Sequence, residues 1–236
     1  MHGPAHPWTL FSGLSHAMDL RPLGRYEEAH ALLAENAAAH ARHLGPEHLQ
    51  TLRAEQNRAL CLAALGQAAE AGAVLARVAA RAGRSYGARH PLTLLFRNSL
   101  ACHLREHGDL GEAGALAQAV ADDYARAFGP RHPFAAGARG NVALVAYRRG
   151  GPRTALRLAE AARADLEAAV GPAHPWTPAA GLNAAACRAA LGEREAAARL
   201  RARTTGAAAG TPGPAHPLAR AARAGLPLWD FEAYTT

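Results

Sequence analysis

Histidine has the widest chemical reach of any residue in this chain, and six of its thirteen histidines stand at one fixed interval. His6, His48, His90, His132, His174 and His216 each follow the last by forty-two residues. Imidazoles in register could hold a metal or relay protons if the fold gathered them. A period of this size instead marks stacked units, which step about 10 Å or more from one to the next. Two ligands of one zinc each lie ~2.0–2.1 Å from it, so one ladder cannot share a metal. The rings are read as structural, each hydrogen-bonded to backbone at a corner between helices, and no metal is expected.

The remaining reactive residues point the same way. His40 and His43 near His48 make only a weak local cluster, and Glu27-Glu28 and Asp122-Asp123 read as solvated helix faces. No Gly-x-Ser-x-Gly and no supported Cys/His pair occurs. The expectation is no catalytic residue, no cofactor and no enzyme. Cys61, Cys102 and Cys187 lack metal or disulfide spacing, and Cys61 and Cys187 hold the same place three repeats apart. That separation exceeds the ~7 Å limit for a bridge, so they read as small buried apolar residues in a reducing compartment. With no signal peptide and no twenty-residue apolar run, a soluble cytoplasmic protein with no membrane contact is expected.

The elements that carry these residues repeat as well. The histidine belongs to a phrase that runs Gly3-Pro4-Ala5-His6-Pro7 and returns as Gly45-Pro46-Glu47-His48-Leu49, Gly87-Ala88-Arg89-His90-Pro91, Gly129-Pro130-Arg131-His132-Pro133, Gly171-Pro172-Ala173-His174-Pro175 and Gly213-Pro214-Ala215-His216-Pro217. Gly24, Gly66, Gly108, Gly150 and Gly192 mark mid-repeat; alanines recur five residues after and seven before them. The two segments of each repeat are rich in Ala, Leu, Arg and Glu, strong helix formers, and no strand-like alternation appears. Helices are predicted near residues 7–23 and 25–43 and at their copies. The fold class is all-α, a right-handed superhelical solenoid of antiparallel helical hairpins with no sheet. Residues 1–211 make five repeats, 212–225 a C-terminal capping helix, and 226–236 an aromatic and acidic tail.

All 26 basic residues are arginine, and the net charge is +7. The arginines are scattered rather than clustered, which favours a solvated surface over a nucleic-acid footprint. No nucleic-acid partner is expected.

The pattern Thr51-Leu52, Asn57-Arg58-Ala59, Leu65-Gly66, Glu70-Ala71, closed by the Gly-x-x-His-Pro corner, resembles the tetratricopeptide repeat in its forty-two-residue, kinesin-light-chain form. The resemblance covers about residues 1–205. Ala135 and Ala219 replace the corner threonine, and Thr154 and Ala196 replace the glutamate. Bacterial proteins of this type often follow a nucleotide-binding switch domain; no Gly-x-x-x-x-Gly-Lys-Ser/Thr is present.

The resemblance implies that the first helix of each repeat lines a concave face. It also implies that the amide two residues before the recurrent alanine points into that face. An amide both donates and accepts, which suits a peptide backbone. Asn57, Asn141 and Asn183 are the candidate row, with Ser15 and Ser99 as shorter substitutes and Asn98 beside the latter. Arg53, Arg105, Tyr147 and Arg148, about a turn away, would supply charge and stacking for an acidic ligand. The same amides could instead tie adjacent helices together.

The tail string Leu228-Trp229-Asp230-Phe231-Glu232 resembles tryptophan-acidic peptides that such grooves bind, so it is either a tethered pseudo-ligand or a cap on the last hairpin. The function expected is non-catalytic protein or peptide binding, as an adaptor or the sensor arm of a bacterial signalling system. Self-association through the N-terminal end or the tail is a further contact open to it. The alternatives are a nucleic-acid-binding helical repeat and a structural fragment of a longer array.

Overall fold

The computed structural model describes residues 7–210. The phrases at 3–6 and 213–217, the capping helix expected at 212–225 and the tail 226–236 lie outside the described residues. The helices in order are α1 (Pro7–Leu20), α2 (Tyr26–Leu44), α3 (Leu49–Ala64), α4 (Ala68–Tyr86), α5 (Pro91–His107), α6 (Leu110–Phe128), α7 (Pro133–Arg148), α8 (Pro152–Val170), α9 (Trp176–Ala190) and α10 (Arg194–Gly210). A single 3-10 turn, Arg21–Leu23, completes α1. No strand occurs among the described residues. None of their helices is long and apolar enough to cross a membrane.

The glycines set where helices stop. Gly24, Gly66, Gly150 and Gly192 adopt φ of 77°, 82°, 78° and 82°, a left-handed conformation that costs glycine nothing. At each, the amide one residue beyond bonds back across the turn, as Gln67 N to the Leu62 carbonyl at 2.9 Å; this closes the helix end. Gly108 departs from the pattern and keeps negative φ. There Asp109 caps α6 by accepting from the Glu112 amide at 2.8 Å, which fixes the turn from its other side.

The corners are built from one design. Gly45, Gly87, Gly129 and Gly171 have φ of 87–97°. Nδ1 of each corner histidine accepts the amide two residues on: His48 from Gln50, His90 from Leu92, His132 from Phe134 and His174 from Trp176, at 3.2–3.3 Å. The ring therefore acts as a helix N-cap, a more specific role than a general backbone bond. Thr51 and Thr177 hydroxyls donate to the carbonyls of Gly45 and Gly171, at 2.9 and 2.8 Å.

An arginine also ties the carbonyl that follows the corner glycine. Arg81 reaches Pro46, Arg97 reaches Ala88 at 3.4 Å and Arg139 reaches Pro130 at 2.8 Å.

Chain contacts divide the molecule into two compact units, one ending at His103 and the other beginning at Leu104. In the first, α1 packs on α2, α2 on α3 and α3 on α4; in the second, each of α6 to α10 packs on its chain neighbour. Connections this short make neighbouring helices antiparallel. The periodic alanines are buried where helices cross: Ala17, Ala29, Ala59 and Ala71 in the first unit, Ala113, Ala143, Ala155 and Ala185 in the second. Small residues there allow axes to approach at the close end of ~8–10 Å. Leu14, Leu20 and Leu33 fill the first core around Ala17, Ala29 and Cys61; Leu166, Leu182, Val170 and Trp176 pack together in the second. All three cysteines are buried and outside any disulfide, and burial pushes the Cys187 thiol up to about 11.

Candidate functional site

The candidate residues lie on the first helix of each repeat, which the prolines and histidine caps of the corners start in register. The first unit holds Arg53 and Asn57 on α3 and Asn98 on α5; the second holds Arg105 at the end of α5, Asn141, Tyr147 and Arg148 on α7, and Asn183 on α9.

All four asparagines are at most 4% exposed. The Asn57 amide is engaged within the protein. Its Nδ2 donates to the Arg53 carbonyl at 2.9 Å, and its Oδ1 accepts from Arg21 Nη1 at 2.8 Å. Arg21 belongs to the turn of the preceding repeat, so Asn57 ties adjacent hairpins. Gln56 beside it donates to Ser99 Oγ at 2.7 Å, and Ser99 donates on to the Leu95 carbonyl at 3.2 Å. A polar relay thus runs through the first unit from the turn after α1, by way of α3, to α5. Arg53 is half-buried, and burial lowers its guanidinium pKa.

In the second unit Arg105 and Arg148 are brought together by a residue that sequence reasoning missed. Glu106 accepts from Arg105 Nε at 2.9 Å and from Arg148 Nη1 at 2.7 Å. The Arg105 side chain is buried, whereas Arg148 and Glu106 are each about two-fifths exposed. Burial alone would raise the Glu106 carboxyl, but the hydrogen bonds and charges of Arg105 and Arg148 hold it below the usual carboxylate range. Tyr147, adjacent to Arg148 in the chain, is half-buried. The result is a carboxylate clasped by two guanidiniums, open to solvent on the Arg148 side.

Two signals in the sequence bear on this. Glu106 and Arg148 occupy one repeat position in consecutive repeats, with opposite charge. Arg21 and Arg105 also share a position two periods apart, as do Asn57 and Asn141. Reading charges column by column would have flagged all of these.

No group of three or more His, Cys, Asp or Glu side chains that could hold a metal ion occurs among the described residues.

The tetratricopeptide repeat family matches residues 17–50, 93–134 and 135–175. No curated protein matches the chain by sequence, but solved structures do. A Podosopora anserina kinesin light chain protein of nearly identical TPR-like repeats is 26% identical, covering 90% of this chain and 99% of that one with a TM-score of 0.66. BtubC (BKLC) from P. vanneervenii shares the fold at 16% identity, over 84% and 78% of the two chains, with a TM-score of 0.65. A thermophilic TPR protein of Thermus thermophilus does so at 18% identity, over 92% and 98%, with a TM-score of 0.61. The all-α fold of stacked helical hairpins anticipated from the period is thus the one observed. The chain is a tetratricopeptide-repeat protein whose forty-two-residue repeats are similar to those of kinesin light chains.

Proposed function

We propose that the chain is a non-catalytic adaptor that binds an acidic peptide, in the second unit, at the clasp formed by Arg105 and Arg148 with Tyr147 beside it. The tetratricopeptide fold serves as a protein-interaction scaffold, and such repeats generally bind proteins or peptides. The observation that carries the finer reading is Glu106. It occupies the place between two guanidiniums that a partner's carboxylate would take, and its own exposure lets it be displaced. Charge-assisted bonds of this kind favour a planar carboxylate, and Tyr147, next to Arg148 in the chain, offers an aromatic for a ring on the ligand. Asn141 and Asn183 would then act behind the face by fixing helix positions. A role as the sensor arm of a signalling system fits the same site.

The test is calorimetry with peptides that pair an aromatic with two or more acids. Glu106→Gln should strengthen binding, and Arg148→Ala and Tyr147→Ala should each weaken it a few-fold. Equal affinity in all three variants would sink the reading. Tight, steeply salt-dependent binding of single-stranded nucleic acid, with no peptide binding, would favour a nucleic-acid partner instead.

A further inference from the structure

We infer that the second unit carries a separate anion site at the turn edge of its last two hairpins, and that the site takes a phosphate monoester. A cavity of about 330 Å³ lies there, lined by Arg153, Leu156, Arg157 and Glu160 of α8 and by Leu191 and Glu193 from the α9–α10 turn. One period earlier the same place is closed by the chain itself. Arg149, which corresponds to Leu191, lays its guanidinium over Gly114, which corresponds to Leu156. It bonds the Leu110 carbonyl at 2.6 Å, and its Nη2 stands 2.9 Å from where a Gly114 Cβ would be. Leucine at 191 has neither the length nor the donors to repeat that plug, so the later copy stays open.

The charges around the opening are unevenly matched. Arg188 donates to both Glu160 and Glu193, the latter at 2.7 Å, and so neutralises much of their pull on other cations. Arg153 and Arg157 stand one helical turn apart on α8, both exposed. Neither makes a hydrogen bond or ion pair with any described residue. Three arginines against two glutamates leave the surroundings one positive charge in excess.

Two uncommitted guanidiniums on one cavity, with no carboxylate between them, offer two positive charges, which match the charge of about −1.5 to −2 on a phosphate monoester. They suit a tetrahedral phosphate, which has oxygens for both forks. Leu156 and Leu191 offer an apolar wall for the alkyl carbons of the ester. A phosphorylated serine or threonine and a free phosphate share this chemistry, and the experiment separates them. The inference is independent of the clasp at Glu106.

The full chain is titrated with inorganic phosphate, with a phosphoserine peptide and with the same peptide carrying glutamate instead. Backbone amide signals of residues 153–157 and 191–193 are followed by NMR, and affinities by calorimetry. Both phosphate probes should shift those signals. Arg153→Gln combined with Arg157→Gln should weaken binding by about tenfold or more, as expected for lost charge-assisted bonds. Arg131→Gln, at an exposed arginine outside the cavity, should leave it unchanged. Leu156→Gly with Leu191→Arg rebuilds the closed copy and should abolish binding.

A phosphopeptide that binds more tightly than inorganic phosphate supports the ester and assigns the site to a modified protein; the reverse order overturns the ester and assigns the site to a free ion. Absence of any shift in the wild type overturns the inference, as does undiminished binding by the double glutamine variant with unchanged circular dichroism. Equal affinity for the glutamate peptide overturns the phosphate assignment. Each failure leaves the Glu106 clasp untouched, because Tyr147 and Arg148 are unaltered.

Discussion

The first junction between hairpins and the corresponding junctions of the second unit use one backbone plan with opposite chemistry. Asn36, His40 and Gln50 occupy repeat positions that hold Val120, Tyr124 and Phe134, then Ala162, Leu166 and Trp176, further along the chain. In the second unit these make a ring ladder: Tyr124 to Phe134 at 5.8 Å, Phe134 to Trp176 at 5.8 Å, and Phe128 against both Tyr124 and Phe134 at about 6 Å. In the first unit the His40 ring is buried with neither nitrogen hydrogen-bonded to protein, and Asn36 Oδ1 and Gln50 Oε1 are in the same state. Asn36 does use its Nδ2, donating to the Leu10 carbonyl at 2.6 Å. A buried polar atom without a partner costs about 1–3 kcal/mol, while aromatic pairs add about 0.5–1.5 kcal/mol beyond their burial. The helical frame tolerates either filling, so the repeat period fixes the fold while local stability is set junction by junction.

The comparison breaks most sharply if chemistry is moved from one unit to the other. Leu166→His should destabilise the protein by about 3–5 kcal/mol, the lost leucine burial plus an unpartnered ring, read as a fall in urea midpoint. A loss under about 1 kcal/mol, within the range of ordinary surface changes, would mean that the second junction does not depend on its apolar filling.

The reverse transplant should stabilise. His40→Tyr with Gln50→Phe is expected to gain about 1–3 kcal/mol by removing unpaired groups. An unchanged or lower melting temperature would show that the polar junction carries no cost.

Acid should weaken the first junction. Burial lowers the His40 pKa, with smaller contributions from His48 and His43; burial also lowers those of His132 and His174. An unfolded histidine titrates near 6.5. Below about that pH the unfolded chain therefore binds more protons than the folded one, and stability falls as pH drops toward the lowered folded values. Protonation would also remove the lone pair that caps α7 and the start of α9. His40→Leu should reduce the slope of melting temperature against pH between about 7 and 5, the range in which histidine charges; an unaltered slope would assign the acid response to other groups.

The smallest effect concerns a charge pair that is inverted between the units. Glu55 on α3 pairs with Arg81 on α4 at 2.8 Å. Two periods on, Arg139 on α7 pairs with Asp165 on α8 at 2.5 Å. The same two positions are used with the signs exchanged, and in both cases the arginine also reaches the corner carbonyl. Glu55→Arg with Arg81→Glu should therefore fold, and recover most of what either single change loses. The coupling should be about 0.2–1 kcal/mol, since both pairs are partly exposed. Strict additivity of the two single changes in a double-mutant cycle would deny that the pair is interchangeable.

The parts of this structure legible in the sequence are those decided locally. Gly66 and Gly45 announce left-handed turns because other residues are strained there, and Ala59 and Ala71 announce close crossings because a larger side chain would not fit. Gly108 reads in the sequence as another such turn, but Asp109, one residue on, caps instead. The candidate row was legible only as residue types. Whether the Asn57 amide faces a ligand or Arg21 depends on a bond 36 residues long, and the Glu106 clasp spans 42. Such partners become visible only when repeats are aligned and charges are compared by column.

The corner histidines have one more consequence. Because Nδ1 accepts a backbone amide at four successive corners, each neutral ring must carry its proton on Nε2. Four imidazoles of one tautomer, one per corner, are spectroscopically distinct from rings that exchange freely between both forms. Their ring-nitrogen resonances would therefore report, corner by corner, which helix starts are still formed as the chain is warmed. Fraying from an end and melting in the middle would be told apart without any reporter group being attached.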